Sequence, residues 1–184
     1  MTKERKIDMV ILGLLSHEKL SGYDIKKRID DGIRFFWKGS FGSIYPALSH
    51  LEKEGFIRKS KEDSNESGRE RIAYEITEAG RSNLQAWLSD SKTVNDLKYE
   101  VLLKIFFGGA VENHVSLATI EAFEKEIEQE LKMLQFFKQN LSKVLHERDH
   151  VFFYLTVSFG VETYEGYLRW CQEAKTMLSE QNCE

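Results

Sequence analysis

Two groups of residues in this chain have the types and spacing for chemistry, and they point in different directions. His146, Glu147 and His150 spell H-E-x-x-H, in which two imidazoles one helical turn apart bind zinc and the carboxylate activates water. Glu165 would be a third ligand. The surroundings argue against that use. The motif falls where one long apolar-patterned helix ends and the next begins, in the charged run Glu147-Arg148-Asp149, so the histidines need not share a helix face. A solvated interhelical turn is the better account, and no metal is assigned. Ser16 and Lys19 match S-x-x-K, but no S-D-N or K-T-G partner accompanies them, and the match is chance.

The second group offers hydrogen bonds rather than catalysis. Tyr45, Ser49, His50 and Lys53 lie on one face of a short segment whose other face carries Ile44, Leu48 and Leu51 at spacings of four and three. Gly39, Ser40, Gly42 and Ser43 form a small, polar approach, with Ser40 or Ser43 placed to cap the helix. Pro46, the only proline, sits in the first turn, where its missing N–H is harmless. Gly55 closes the helix, and Phe56-Ile57-Arg58 begins an extended run. A helix with a buried back and a polar, partly basic front suits the major groove of DNA. Alone, it would read as an ordinary amphipathic surface helix.

The elements around it decide the matter. Ile7, Val10, Ile11, Leu14 and Leu15 recur at helical spacing. Ser21 caps a second helix, where Tyr23, Ile25 and Ile29 alternate with Lys26-Lys27-Arg28; Tyr23 and Tyr74 read as core tyrosines. After the reading helix, residues 56–61 and 71–77 read as two strands around the turn-rich Ser64-Asn65-Glu66-Ser67-Gly68. Thr77 then caps a helix with Leu84, Trp87 and Leu88 on its apolar side. Three helices and a two-stranded wing make a winged helix-turn-helix, in which the third helix enters the major groove.

Composition agrees. With 184 residues, 41% hydrophobic and 30% charged, the chain has the make-up of a soluble, mostly helical protein. Cys171 and Cys183 lack framework spacing and read as reduced thiols. The N-terminal residues carry no secretory pattern, and the apolar run over 7–15 is too short to span a membrane, so a cytoplasmic protein is expected. The net charge of −4 is unevenly spread. Residues 1–60 hold twelve Lys/Arg against eight Asp/Glu, whereas residues 91–184 hold ten against fifteen. The positive end is the one with the reading helix.

ILGLLSHEKLSGYDIKKRI, then FWKGSFGSIYPALSHLEKEGFI, then GRERIAYEITEAGR resemble the PadR family of bacterial transcription regulators. The second half is similar to the helical C-terminal domain of that family's longer members. The wing departs from the family's pattern: Glu70 replaces proline, and Ile72 and Ala73 replace Lys and Tyr. With Glu62, Asp63 and Glu66 nearby, this wing is unusually acidic.

The second half has no cofactor loop, and no cofactor is expected. Residues 97–107 read as an apolar helix ending at Gly108-Gly109. Residues 116–147 carry a near-heptad seam with Leu117, Ile120, Ile127, Leu131, Leu134, Leu141 and Leu145. Phe136, Phe137 and Val144 widen that face, which suggests a helix meeting both its own chain and a partner. A last helix over about 150–179 is also more apolar than a solvent-facing side allows. The resemblance implies that this domain makes the dimer.

The expectation is therefore a mainly α protein, with a winged helix-turn-helix DNA-binding domain over 1–90 and a helical dimerisation and effector domain over 91–184. It would be no enzyme but a homodimeric repressor on a pseudo-palindromic double-stranded operator, its half-site centres roughly 34 Å apart. The DNA-contacting residues would be Ser40, Gly42, Ser43, Tyr45, Pro46, His50 and Lys53, with Lys3, Arg5, Lys6, Lys26, Lys27 and Arg28 on phosphates and Arg69 and Arg71 in the wing. Ile127, Leu131, Leu134, Leu141 and Leu145 would form the dimer seam. Phenolic acids or apolar drugs are the effectors the resemblance implies, with Phe153, Tyr154 and Trp170 as pocket candidates. Two alternatives stand beside it: a zinc-dependent hydrolase built on His146–His150, and a winged-helix module that binds proteins.

Overall fold

Capping sets the local frame of the N-terminal half. In a computed structural model, residues 5–37, 41–60, 72–93 and 98–180 are described. The Ser21 hydroxyl accepts from the Asp24 amide, and the Asp24 carboxylate accepts from the Ser21 amide at 3.1 Å, a reciprocal capping box. It starts helix α2 (Gly22–Arg28), which runs on through a π turn at Ile29–Ile33. Helix α1 (Lys6–Leu15) precedes it, and helix α3 (Ile44–Lys53) follows a 3-10 turn over Phe41–Ser43. Gly55 has φ +74° and ends α3 in a Schellman arrangement: its amide bonds the Glu52 carbonyl, and the Phe56 amide bonds that of Leu51.

The two expected wing strands are present as β2 (Ile57–Ser60) and β3 (Ala73–Ile76), antiparallel with Ile57 opposite Ile76. A third strand was not expected. Leu20–Ser21, β1, pairs antiparallel with β3, Leu20 opposite Tyr74, giving the sheet order β1-β3-β2. Helix α4 (Glu78–Ser89) follows, capped by Thr77, whose hydroxyl accepts from the Gly80 amide. One core joins these elements, with Ile11, Leu12, Ile25, Leu48, Leu51 and Ile57 fully buried.

Several expectations need correction here. Ser43 makes no capping hydrogen bond, because its backbone (φ −90°, ψ −12°) is already helical and continues the 3-10 turn. Tyr23 is 61% exposed at the start of α2, not a core residue, while Tyr74 does pack against the core. Trp87 and Leu88 are exposed, and of the expected trio only Leu84 reaches the core.

The chain divides into two compact units, residues 1–95 and 96–184. The second contains α5 (Glu100–Phe106), α6 (Asn113–Leu141) and α7 (Arg148–Glu180). Helices α6 and α7 lie antiparallel. The Asn113 side chain donates to the Leu178 carbonyl, Glu124 takes Lys175 at 2.5 Å, and Phe123 meets Trp170 edge-on. Tyr99, just before α5, shares a hydroxyl hydrogen bond with Tyr167. Burial first, and then that bond, push the Tyr167 phenol well above its ordinary range. No helix among the described residues is long and apolar enough to cross a membrane.

The expected seam exists, but its partner is the same chain. Ile120, Ile127, Leu131 and Leu134 are buried within the single chain, where α6 packs along α7. Ile127, Leu131 and Leu134 are thus covered within the single chain. Leu141 is the last residue of α6, and Leu145 stands in the following turn, off the helix.

Candidate nucleic-acid interface

Helix α3 is placed by its apolar side. Ile44, Ala47, Leu48 and Leu51 are buried against the core, and α1, α2 and β2 pack around it. Gly42, Tyr45, Pro46, Ser49 and Lys53 are exposed on the other side. At 100° per residue, Pro46, Ser49 and Lys53 lie opposite the core, with Tyr45 and His50 on the two flanks. Both flanks are braced. On one, Tyr45 is 66% exposed, yet its ring edge covers Gly22 so closely that a Cβ there would meet Cε1 at 2.8 Å. On the other, His50 Nδ1 lies 3.2 Å from Oδ2 of the buried Asp8 on α1. His50 thus turns its ring partly inward, and the expected row of polar side chains is centred on Ser49 and Lys53.

Positive charge surrounds this helix. Lys6, Lys26 and Lys27 are exposed. Arg5 is exposed but bonds Asp8 through Nε at 3.2 Å, and Arg28 pairs with Glu18 at 2.7 Å. The sheet adds cations that the sequence reading missed. Lys19 and Arg58 both hold Glu75, at 2.8 and 2.5 Å, and keep its carboxyl below the usual carboxylate range. Lys59 pairs with Glu52 at 3.0 Å, which holds its ammonium above the ordinary lysine range. The pairs of Lys19, Arg58 and Lys59 are solvent-screened surface pairs that set geometry more than stability. Strand alternation in Ile57-Arg58-Lys59-Ser60 was the one available signal for Arg58 and Lys59. Lys3, Ser40, Arg69 and Arg71, with the acidic residues Glu62, Asp63 and Glu66, lie outside the described residues.

The H-E-x-x-H motif lies in the second unit, as an interhelical turn. His146 precedes α7 and is exposed; His150 lies within its first turn. The His150 ring faces the Val144 carbonyl at 3.3 Å and Glu147 at 3.3 Å. Among the described residues, no three His, Cys, Asp or Glu are grouped to hold a metal ion. Replacing His146 and His150 together by Ala is expected to shift stability by no more than about 1 kcal/mol, with or without chelator. Melting curves and zinc content by mass spectrometry check this; one zinc per chain, lost in the double variant, would reverse the assignment.

The effector candidates do not converge. Phe153 is exposed and Tyr154 half-buried near the start of α7, whereas Trp170 lies sixteen residues on, roughly 24 Å along the helix. One chain cannot bring all three to one small molecule.

Residues 11–86 match the transcriptional regulator PadR-like family, and residues 97–179 match the virulence activator alpha C-terminal region. Residues 11–86 thus place the N-terminal unit in the PadR-like family of transcriptional regulators. It is 25% identical to the negative transcriptional regulator PadR of Bacillus subtilis (strain 168), over 95% of this chain and 98% of that protein. Two solved structures of Bacillus subtilis PadR are similar. One, in complex with operator DNA, has a TM-score of 0.84 at 26% identity and covers 96% of this chain and 99% of that one. The other, in complex with p-coumaric acid, has a TM-score of 0.72 at 25% identity, covering 95% and 99%. The PadR-like fold expected from the sequence, a winged helix unit followed by helices, is thus present, and a regulator rather than an enzyme stands.

Proposed function

We propose that this PadR-like regulator binds a specific double-stranded operator as a homodimer and acts as a repressor released by a small aromatic or apolar ligand. The observation that carries the reading is α3 itself: four buried apolar residues on one side, and Tyr45, Pro46, Ser49 and Lys53 exposed on the other. Such a helix can enter a major groove while its back stays in the core. Residues 1–90 would bind DNA; residues 91–184 would dimerise and hold the effector. Operator binding and p-coumaric acid binding by Bacillus subtilis PadR support both halves of the proposal. A cytoplasmic location follows from that role.

The dimer surface we propose differs from the seam read in the sequence. Phe152, Leu155 and Phe159 are exposed at spacings of three and four, on the face of α7 away from the buried Val161. Leu102, Leu103, Phe106 and Phe107 are exposed around α5. Apolar exposure on this scale marks an association surface. For the ligand, Phe153 with Tyr154 and, separately, Trp170 with Phe123 are the aromatic groups available.

Tyr45→Ala tests the DNA reading. The variant is expected to bind operator fragments, recovered by genome-wide mapping of bound DNA, at least about tenfold more weakly. Helicity and self-association should not change. Parent-like affinity in a gel-shift titration would remove α3 from the groove.

A further inference from the structure

Asp8 is an anomaly that folding alone does not explain. It sits on α1 among Ile7, Met9, Ile11 and Leu12, all buried, and its own side chain is only 6% exposed. A carboxylate in such a place is costly unless paired. Its position in the first turn of α1 helps, because the helix N-terminus favours negative charge. Arg5 Nε reaches Oδ2 at 3.2 Å, yet Oδ1 has no hydrogen-bond partner among the described residues. The remaining neighbour is His50, whose Nδ1 lies 3.2 Å from the same Oδ2. Forty-two residues separate the two in the chain, and they belong to different helices.

The histidine is divided by this contact. Nδ1 is buried and makes no aligned hydrogen bond among the described residues; its nearest acceptor is Asp8 Oδ2, at an ion-pair distance of 3.2 Å, whereas the side chain as a whole is 39% exposed. The exposed part is therefore the ring edge away from Nδ1, which carries Nε2. An ionised carboxylate can only accept hydrogen bonds, so a small turn of the ring that aligns this contact puts the proton on the nitrogen facing it. In the neutral ring Nε2 is then the bare nitrogen, a hydrogen-bond acceptor on the flank of α3. In the major groove an acceptor pairs with the amino group of adenine or cytosine. Without a fixed tautomer the same ring presents a donor as readily as an acceptor, and its readout is lost.

We infer that Asp8 is a positioning residue for base reading: its buried carboxylate fixes the tautomer and orientation of His50, so that Nε2 faces DNA as an acceptor for an adenine or cytosine amino group. The inference rests on α3 being the reading helix, and it adds that α1 helps to set what the helix reads. Arg5 holds the same carboxylate oxygen, Oδ2, so a residue expected on a phosphate serves the reading helix as well.

The test uses the full-length protein with a pool of duplex DNA randomised over about thirty base pairs. Bound sequences are selected for the parent, Asp8→Asn and His50→Ala. Long-range proton–nitrogen NMR on the free parent and on Asp8→Asn assigns the His50 tautomer. Asn is close to isosteric, but its amide can donate or accept, so it no longer dictates a tautomer. The expected parent spectrum shows His50 protonated at Nδ1 alone, and Asp8→Asn shows a mixture. His50→Ala should relax the preference at one base pair in each half-site by between about 5- and 100-fold, the span of a single base contact. Asp8→Asn should relax that same base pair and leave the others intact. A parent tautomer protonated at Nε2 overturns the proposal, as does an Asp8→Asn selection matching the parent or weakened evenly at every position. If the parent enriches no sequence, the operator reading fails and this proposal goes with it; enrichment untouched by both variants sinks this proposal alone. Were Asp8→Asn unable to fold, His50→Ala and the parent's tautomer decide it.

Discussion

Gly80→Ala is expected to lower the melting temperature of the winged unit by roughly 8–30 °C. A Cβ at residue 80 would stand 2.1 Å from the Phe56 carbonyl oxygen and 2.9 Å from Ile76 Cγ1. The first of these is backbone, and it is already engaged, accepting from the Thr77 amide at 3.0 Å. The Thr77 hydroxyl meanwhile donates to the Gly55 carbonyl at 2.7 Å and accepts from the Gly80 amide at 3.2 Å. Moving α4 outward to admit a methyl group therefore strains the cap, the strand joint and the seat of Leu84 together. Overpacking a tight site costs about 1–3 kcal/mol and a lost cap about 1 more, so roughly 2–4 kcal/mol is the expected loss. For a unit of this size each kcal/mol moves the midpoint by roughly 4–8 °C. Gly13→Ala is the matched contrast. It lies inside α1 with nothing within 4 Å of a Cβ, so it should gain up to about 1 kcal/mol from helix propensity. Thermal melts of the full chain followed by circular dichroism check both, and an unchanged midpoint in Gly80→Ala would contradict the contact between α4 and the start of β2.

That joint also shows what the sequence could and could not reveal. The caps Ser21 and Thr77 and the stop at Gly55 were legible because each depends on local chemistry within four residues. The stripe Ile44, Leu48, Leu51 was legible because its period is that of the helix. Strand β1 was not, since two residues carry no period and only pairing with Tyr74 and Ala73 makes Leu20–Ser21 a strand. The end of α6 was hidden for a related reason. No glycine or proline marks it; Ser142 turns its hydroxyl back to the Gln139 carbonyl, and the Lys143 and Val144 amides bond carbonyls three residues back. The apolar spacing meanwhile runs on to Leu145, which the chain has already carried off the helix. At the candidate interface, helical position told which side chains face outward but not what braces them. Tyr45 over Gly22 and His50 against Asp8 are tertiary contacts, and no spacing rule encodes them.

The seam on α6 raises the same difficulty with larger consequences, because periodicity shows that a face is covered without showing by what. Phe159→Asp separates the two answers. Phe159 is 70% exposed on α7, in line with Phe152 and Leu155 and away from α6. If this stripe meets a second copy, a carboxylate there is buried unpaired against apolar side chains, and loss of an aromatic anchor alone is worth about 2–4 kcal/mol. The dimer dissociation constant should then rise by roughly 30- to 1000-fold in sedimentation equilibrium, while the melting of the separate chain hardly changes. Operator affinity should fall by about 100- to 10,000-fold as the two reading helices cease to act as one ligand. Leu134→Ala should behave in the opposite way. Its side chain is buried in the single chain and touches Gly160, with a Cβ there meeting Leu134 Cδ1 at 3.3 Å. Truncation should therefore cost about 2–5 kcal/mol of folding stability, with self-association of the chains that remain folded unaltered. If instead Phe159→Asp stays dimeric and Leu134→Ala dissociates while still folded, the α6 seam is the dimer contact and the outer face of α7 is not.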